Sequence, residues 1–288
     1  MTTTSPPAAP FKMIACLALS PRARAVAGEA AHLARRLDAE LTFLHVADDT
    51  PAHRAALEPV LAEARAIHPA QCLVRPGRPD EVVRRAAEEL HPQLVVAGAL
   101  EREGLVEGFF GSVARRIVRK LACSVLLLSD PAPGGSPFRT IALSTQLDQA
   151  SAHMLQFGLR LAAAVHAERF HVLYEPDFYD RLAGRYHEAG LPAQEEERRH
   201  RRAAHHLQLH AFLEPFQFPD LEVETAVLEG AEGLGAVEYA RRHHADLLIY
   251  PAPTRPLHFW DRFFHHPAET VMERLPCAVL VHRDPGAR

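Results

Sequence analysis

The sequence repeats itself once, and this feature constrains the fold more than any other. The segment RPGRPDEVVRRAAEELHPQLVVAGA is matched by LEGAEGLGAVEYARRHHADLLIYPA, which pairs Gly77 with Gly230. The segment SVARRIVRKLACSVLLLSDP is matched by HPAETVMERLPCAVLVHRDP, which pairs Cys123 with Cys277. Self-similarity at a fixed spacing indicates that the same folded unit occurs twice. We therefore predict two tandem domains.

A third pair of segments shows that the second half is longer than the first. ALSPRARAV and ALSTQLDQA align Ala18 with Ala142, which leaves roughly thirty additional residues in the second half. We place this insertion around 176–220, where it lengthens a charged, histidine-rich helix. The turn-forming segment PAPGGSP separates the repeats. The predicted organisation is a disordered tail (1–11), a first domain (12–133) and a second domain (134–288).

Each repeat alternates short apolar runs with amphipathic helical patterns, which is typical of βαβ units and a parallel sheet. Nearly continuous apolar strands such as LVVAGAL fit a sheet that helices cover on both faces. The fold class is therefore α/β, with five strands in each repeat. The strands are predicted at 13–19, 40–46, 71–75, 93–98 and 123–129, and again at 139–144, 168–174, 221–228, 246–250 and 277–282. Helices are predicted near 21–38, 52–67, 79–90 and 111–121.

Composition excludes several classes of protein. The chain has 32 basic and 36 acidic residues and a net charge of −4, which argues against a nucleic-acid-binding surface. The longest apolar run is about eight residues, too short to span a membrane. Its two lysines, Lys12 and Lys120, do not fit a Walker-type phosphate loop. The four cysteines form no C-x-x-C pair, which indicates reduced thiols and a cytoplasmic location.

The loop that follows the fourth predicted strand is rich in glycine. In an open parallel sheet, ligands bind beyond the carboxyl ends of the strands, which is where this loop lies. Glycines let the backbone approach a ligand, and the free N–H groups at a helix start attract an anion such as phosphate. Ser112 can also be interpreted as an ordinary helix N-cap with no role in ligand binding. The residues concerned are Gly98, Gly104, Gly108, Gly111 and Ser112.

The strand order, the glycine loop ending in Gly-Ser and the helix start SVARRIV resemble the universal stress protein family, and the resemblance extends over both halves. It implies an adenine nucleotide α-hydrolase-like, Rossmann-like fold. It also implies two domains packed as a pseudo-dimer through their fifth strands, 123–129 and 277–282. Many members of the family bind ATP through glycine, two residues, glycine, nine residues, glycine and a hydroxyl residue. Gly98, Gly111 and Ser112 match this motif.

The first repeat departs from the motif at two positions. Glu101 replaces the second glycine, and a carboxylate beside polyphosphate is repelled, although Arg102 follows it directly. Ser20, and Ser144 in the second repeat, replace the aspartate that relatives place near the adenosine. Val46 matches the apolar position that packs on adenine. The predicted nucleotide-binding residues are Ala18, Ser20, Val46, Gly98, Arg102, Gly104, Gly111 and Ser112.

The second repeat departs further from the motif and is predicted to be degenerate for ATP. Pro251 stands where the first repeat has Gly98, and it lacks the N–H group that a phosphate cradle uses. His265 and His266 replace the terminal Gly-Ser pair. The aromatic residues nearby indicate a filled or repurposed cleft; they are Phe259, Trp260, Phe263 and Phe264.

Metal and catalytic motifs are not assigned. His206 and His210 are spaced i,i+4 and face one side of a helix, but the sequence identifies no third ligand. The chain lacks a G-x-S-x-G elbow, a G-x-G-x-x-G fingerprint and an H-E-x-x-H helix. Slow ATP hydrolysis would need a base, and Glu101 is placed for that role.

The function that we predict is a non-enzymatic, cytoplasmic stress-response module that binds ATP or AMP in its first repeat, with Mg²⁺ accompanying ATP. Two alternatives stay open. One is a nucleotide-independent scaffold that contacts an unidentified protein partner, for example through 176–220. The other is a weak ATP hydrolase. The expected assembly is the intramolecular pseudo-dimer, which can associate into a further dimer.

Overall fold

The computed structural model describes residues 10–98, 112–176, 191–228, 233–252 and 267–284. The chain divides into two compact units. The first unit comprises 1–98 with 131–135, and the second comprises 99–130 with 136–288. The predicted tail lies almost entirely outside the described residues, and the first strand begins at Phe11.

The first unit is a four-stranded parallel sheet with the strand order β3-β2-β1-β4. The chain runs outward from β1 to β3 and then returns to the other side of β1. Since crossovers between parallel strands are right-handed, this reversal puts α1 and α2 on one face of the sheet and α3 on the other. The elements are β1 (Phe11–Leu17), α1 (Ala23–Leu37), β2 (Ala39–Val46), α2 (Pro51–Ile67), β3 (Ala70–Arg75), α3 (Pro79–Leu90) and β4 (Leu94–Gly98).

Helix α1 is buried along an alanine-rich face that lets other backbone segments approach closely. A Cβ atom at Gly28 would lie 2.5 Å from the carbonyl oxygen of Pro133, so the segment 131–135 contacts the helix directly at this position. The neighbouring Glu29 is buried, and its carboxylate accepts a hydrogen bond from the backbone N–H of Ala132 at 3.3 Å. These contacts explain why a segment from the linker between the repeats belongs to the first unit.

The second unit has six described strands in the order β5-β10-β9-β6-β7-β8. Five of them are parallel, and β5 pairs antiparallel with β10 through Val125–Val281, Leu126–Leu280 and Leu127–Val279. The elements are α4 (Ser112–Lys120), β5 (Ser124–Leu128), β6 (Thr140–Thr145), α5 (Gln149–Val165), β7 (Arg169–Tyr174), α6 (Leu191–Leu213), β8 (Glu222–Val227), α7 (Leu234–Arg242), β9 (Leu247–Pro251), α8 (Pro267–Glu273) and β10 (Ala278–His282).

All ten predicted strands are present, each within two residues of its predicted bounds, and the α/β class is confirmed. The two predicted fifth strands, β5 and β10, pair with one another. Because this pairing holds β5 in the second unit, the strands divide into four and six, and two separate sheets of five strands are not confirmed. The predicted long helix of the insertion is α6, with 23 residues, and 177–190 lies outside the described residues.

All four cysteines are free and half-buried, and burial raises the thiol pKa of Cys123 to about 11 and that of Cys277 to about 12. Both thiols are therefore protonated and unreactive at neutral pH. Within the described ranges, every helix is too short or too polar to cross a bilayer.

Candidate functional site

The carboxyl ends of the parallel strands in the first unit form the edge where a ligand is expected. Strands β1 and β4 are neighbours, with Cys16 opposite Ala97, and they flank the point where the strand order reverses. Four of the predicted site residues lie at these strand ends: Ala18 and Ser20 follow β1, Val46 ends β2 and Gly98 ends β4. Ala18 is exposed, whereas Ser20, Val46 and Gly98 are half-buried. This first-unit edge, defined by these four residues, is therefore accessible to a ligand.

Two contacts fix the backbone of the first-unit edge. A Cβ atom at Gly98 would lie 2.8 Å from Cγ2 of Val26, so the close approach of α1 requires glycine where β4 ends. His45 is buried, and its Nδ1–H donates to the backbone oxygen of Leu17 at 2.9 Å, which ties the end of β2 to the end of β1. Val46 therefore directly follows a residue that is anchored to the neighbouring strand.

The remaining predicted residues belong to the segment after β4. Ser112 is the first residue of α4, in the second unit. Arg102, Gly104 and Gly111, like Glu101, lie outside the described residues. Their contribution to a phosphate-binding loop stays a prediction.

The corresponding edge of the second unit is filled by a carboxylate that sequence reasoning missed. Glu175 follows β7 and has 2% of its surface exposed. Its Oε2 accepts hydrogen bonds from the hydroxyls of Ser144 at 3.1 Å and Tyr250 at 3.0 Å. The backbone N–H groups of Gly233 and Ala236 donate to its Oε1 at 3.2 and 3.1 Å. We call these five residues the Glu175 network.

In the Glu175 network, the carboxylate occupies the position at a helix start where an anion is bound. Gly233 is the N-cap of α7 and supplies no capping side chain. The carboxylate of Glu175, which follows β7, therefore accepts hydrogen bonds from the free N–H groups at the start of this helix. Burial raises the pKa of Glu175, and the four hydrogen-bond donors oppose that rise. A Cβ atom at Gly235 would lie 3.1 Å from Oε1, which leaves little free space around the carboxylate.

Strand register corrects one alignment between the repeats. Met13 pairs with Leu94, and Ile141 pairs with Leu247. Since the two leucines are equivalent in the repeat, Met13 is equivalent to Ile141. The alignment of Ala18 with Ala142 is therefore wrong, because Ala142 is equivalent to Ile14 in the first repeat. The residues ALS at 18–20 and at 142–144 are identical in sequence but occupy different register positions in the two units.

The same reasoning identifies the counterparts at the two edges. Ser144 is equivalent to Cys16, so it is not the counterpart of Ser20. Leu17 pairs with His45 and Thr145 with Tyr174, which makes Val46 equivalent to Glu175. The position that the family resemblance assigns to adenine packing thus carries an apolar side chain in one unit and a buried carboxylate in the other.

One family of known proteins matches the sequence over both repeats. The profile of the Universal stress protein family matches twice, over residues 11–129 and 137–283. A Universal stress protein E homolog from Haemophilus influenzae is 38% identical over 53 residues, which is 18% of this chain and 17% of that protein's length.

Two solved structures share the fold over nearly the whole chain. A functionally unknown protein from Pseudomonas aeruginosa PAO1 is 15% identical, with a TM-score of 0.68 over 97% of this chain and 94% of that one. A universal stress protein from Archaeoglobus fulgidus is 13% identical, with a TM-score of 0.60 over 94% of this chain and 98% of that one. The α/β architecture and the two family matches together define a tandem protein of the stress-response class. The chain belongs to the universal stress protein family.

Proposed function

We propose that this protein is a cytoplasmic stress-response module that binds an adenine nucleotide at the first-unit edge and none at the equivalent edge of the second unit. One observation carries the proposal, namely the contrast between Val46 and its counterpart Glu175. Val46 is half-buried and apolar at an accessible edge, whereas Glu175 is buried and already accepts bonds from four donor groups. The four reduced thiols fit a cytoplasmic location.

The residues of the first-unit edge fit a nucleoside. A half-buried valine offers an apolar surface for the face of a base, and the Ser20 hydroxyl can donate or accept one hydrogen bond. Gly98 ends β4 beside these residues, and its missing side chain makes room for Val26 of α1. Phosphates would be held by the predicted loop through Arg102, Gly104, Gly111 and Ser112, with Mg²⁺ accompanying ATP.

The second-unit edge disfavours a nucleotide for two reasons. Its helix N–H groups and two hydroxyls are committed to Glu175, so a phosphate would have to displace a buried carboxylate from four hydrogen bonds. Pro251, at the end of β9, supplies no N–H group for a phosphate. Both features support binding at one edge of the chain rather than at two.

Calorimetric titration of the full chain with ATP and with AMP, each with and without Mg²⁺, tests the proposal. We expect saturable binding of one nucleotide per chain. Val46→Glu copies the second repeat into the first and is expected to weaken binding about a hundredfold, because a carboxylate would be buried against the base without a partner. Gln71→Glu adds the same charge to an exposed position near the amino end of β3 and serves as the matched control.

The same titration separates the alternatives. No binding to the unaltered chain would contradict the proposal and favour a nucleotide-independent scaffold. Equal weakening by Val46→Glu and Gln71→Glu would contradict the assignment to this edge. Release of inorganic phosphate from bound ATP, abolished by Glu101→Gln, would contradict a purely binding role and favour the hydrolase.

A further inference from the structure

A second cluster of polar side chains lies on a face of the second unit, away from the strand ends that form the edge. His171 on β7 and Glu224 on β8 are direct partners in the register of two parallel strands. Neighbouring residues at the same register position project from the same face of a sheet. His243 is the C-cap of α7, and Tyr239 lies one turn earlier on that helix. Two strands and a helix end therefore bring these four side chains together.

The distances within this cluster suit a small ion. Nδ1 of His171 lies 3.2 Å from Oε2 of Glu224, and Nδ1 of His243 lies 3.9 Å from the same oxygen. One ligand atom from each of the three residues falls within 4.8 Å of the other two. With zinc–ligand bonds of about 2.0 to 2.2 Å, the edge of a tetrahedral site is about 3.3 to 3.6 Å. Small rotations of two side chains would bring the three ligand atoms to three of the four vertices of such a tetrahedron.

Burial and charge also suit a cation. His171 has 2% of its side chain exposed, whereas Glu224 and His243 have 48% and 33%, so the cluster is anchored on one side and open to solvent on the other. His171 and Glu224 face each other across two paired strands, so an imidazole and a carboxylate are held close together by the sheet. The carboxylate of Glu224 supplies a negative charge that attracts a cation.

Tyr239 gives the cluster an orienting group. Its hydroxyl donates to Oε2 of Glu224 at 3.4 Å and lies 3.1 Å from Nδ1 of His171. Its ring stacks on that of His243, with centroids 3.9 Å apart and planes 10° from parallel. Groups that orient the ligands in this way support metal affinity.

We propose that His171, Glu224 and His243 form a binding site for a divalent transition-metal ion of the zinc class. Two imidazoles and one carboxylate are a donor set that zinc uses with a fourth position left to water, and that Mg²⁺ and Ca²⁺ do not prefer. The ion joins β7, β8 and the end of α7. The site is independent of nucleotide binding, because none of its ligands belongs to the first-unit edge or to the Glu175 network.

The test uses the full chain, stripped with EDTA and titrated with Zn²⁺ in the presence of a competing chelator. Co²⁺ serves as a spectroscopic probe, since four-coordinate Co²⁺ has an intense visible absorption band. We expect one tightly bound ion per chain and this band. His243→Asn and Glu224→Gln should each weaken Zn²⁺ binding about a hundredfold, and Tyr239→Phe about tenfold.

His244→Asn is the matched control, because it removes an imidazole from the adjacent, exposed position at the same helix end and is expected to bind Zn²⁺ like the unaltered chain. Circular dichroism verifies that all variants are folded. Unchanged binding by His243→Asn and Glu224→Gln would overturn the proposal. So would loss of the bound ion on removal of His206 and His210, the i,i+4 pair on α6.

Discussion

The two units carry the same arrangement of strands and helices but use the same edge in opposite ways. In the first unit, β2 ends in the half-buried Val46 at an edge that ligands can reach. In the second, the equivalent Glu175 is buried, caps α7 and accepts hydrogen bonds from β6 and β9. At equivalent strand ends, one unit thus has an apolar side chain at an accessible edge, and the other has a buried carboxylate that fills its own edge. The comparison teaches that two copies of one fold can differ in whether the edge at their strand ends is open or filled by a side chain of the same unit.

The largest effect is expected from removing the internal anion. Glu175→Val restores the first-unit residue but leaves two N–H groups and two hydroxyls buried without their partner. We expect the free energy of unfolding to fall by about 3 kcal/mol or more, measured by urea denaturation. Glu175→Gln is the matched control and should be nearly neutral, because an amide can both accept from the N–H groups and donate to the hydroxyls. A neutral Glu175→Val would contradict the structural role of the network.

A smaller effect is expected from the pH dependence of stability. Burial lowers the pKa of His282 to about 4, with Asp284 opposing and Arg160 and His153 adding to the shift. Below pH 6.5 the unfolded chain gains a proton at this residue that the folded chain does not take up until about pH 4. The free energy of unfolding should therefore decrease as the pH falls from 6.5 to 4, by about 2 to 3 kcal/mol.

Urea denaturation at a series of pH values measures this decrease, and His282→Leu serves as its control. The leucine variant loses the hydrogen bond between His282 and Ser124 but also loses the titration, so its slope between pH 6.5 and 4 should be shallower. An unchanged slope would show that other groups dominate the acid sensitivity of the second unit.

The smallest effect is expected at the end of β4. Gly98→Ala would put a Cβ atom 2.8 Å from Cγ2 of Val26, and we expect a loss of about 1 kcal/mol in the free energy of unfolding. Val26→Ala removes the clashing methyl group, so the double variant should be no less stable than Val26→Ala alone. If Gly98→Ala costs the same in both backgrounds, this contact is not the reason for the glycine.

The sequence was sufficient to predict the strands but not the contents of the second edge. Apolar runs such as LVVAG and SVLLL are dictated by burial on both faces of a sheet, and each is observed as a strand. Glu175 gives no such signal, because one acidic residue after a strand looks like an ordinary loop residue. Its role depends on Ser144, Gly233 and Tyr250, which come from three other segments of the chain.

Contacts between distant segments are also the reason why the sequence did not predict the His171 cluster or the grouping of the strands into the two units. Local spacing drew attention to His206 and His210, whereas the clustered ligands belong to β7, β8 and α7 and meet through strand register. The placement of β5 with the second unit depends on its antiparallel partner β10, more than a hundred residues away in the chain. Each of these features is tertiary and has no counterpart in local sequence patterns.

Hydrogen-exchange mass spectrometry with and without saturating ATP and Mg²⁺ tests the contrast between the two edges most directly. The account predicts slower exchange in peptides that cover 17–23 and 46–50, at the first-unit edge. It predicts no change in peptides that cover 144–151 and 173–176, at the Glu175 network. Protection of the second edge, or of neither edge under conditions where the chain is shown to bind ATP, would contradict it.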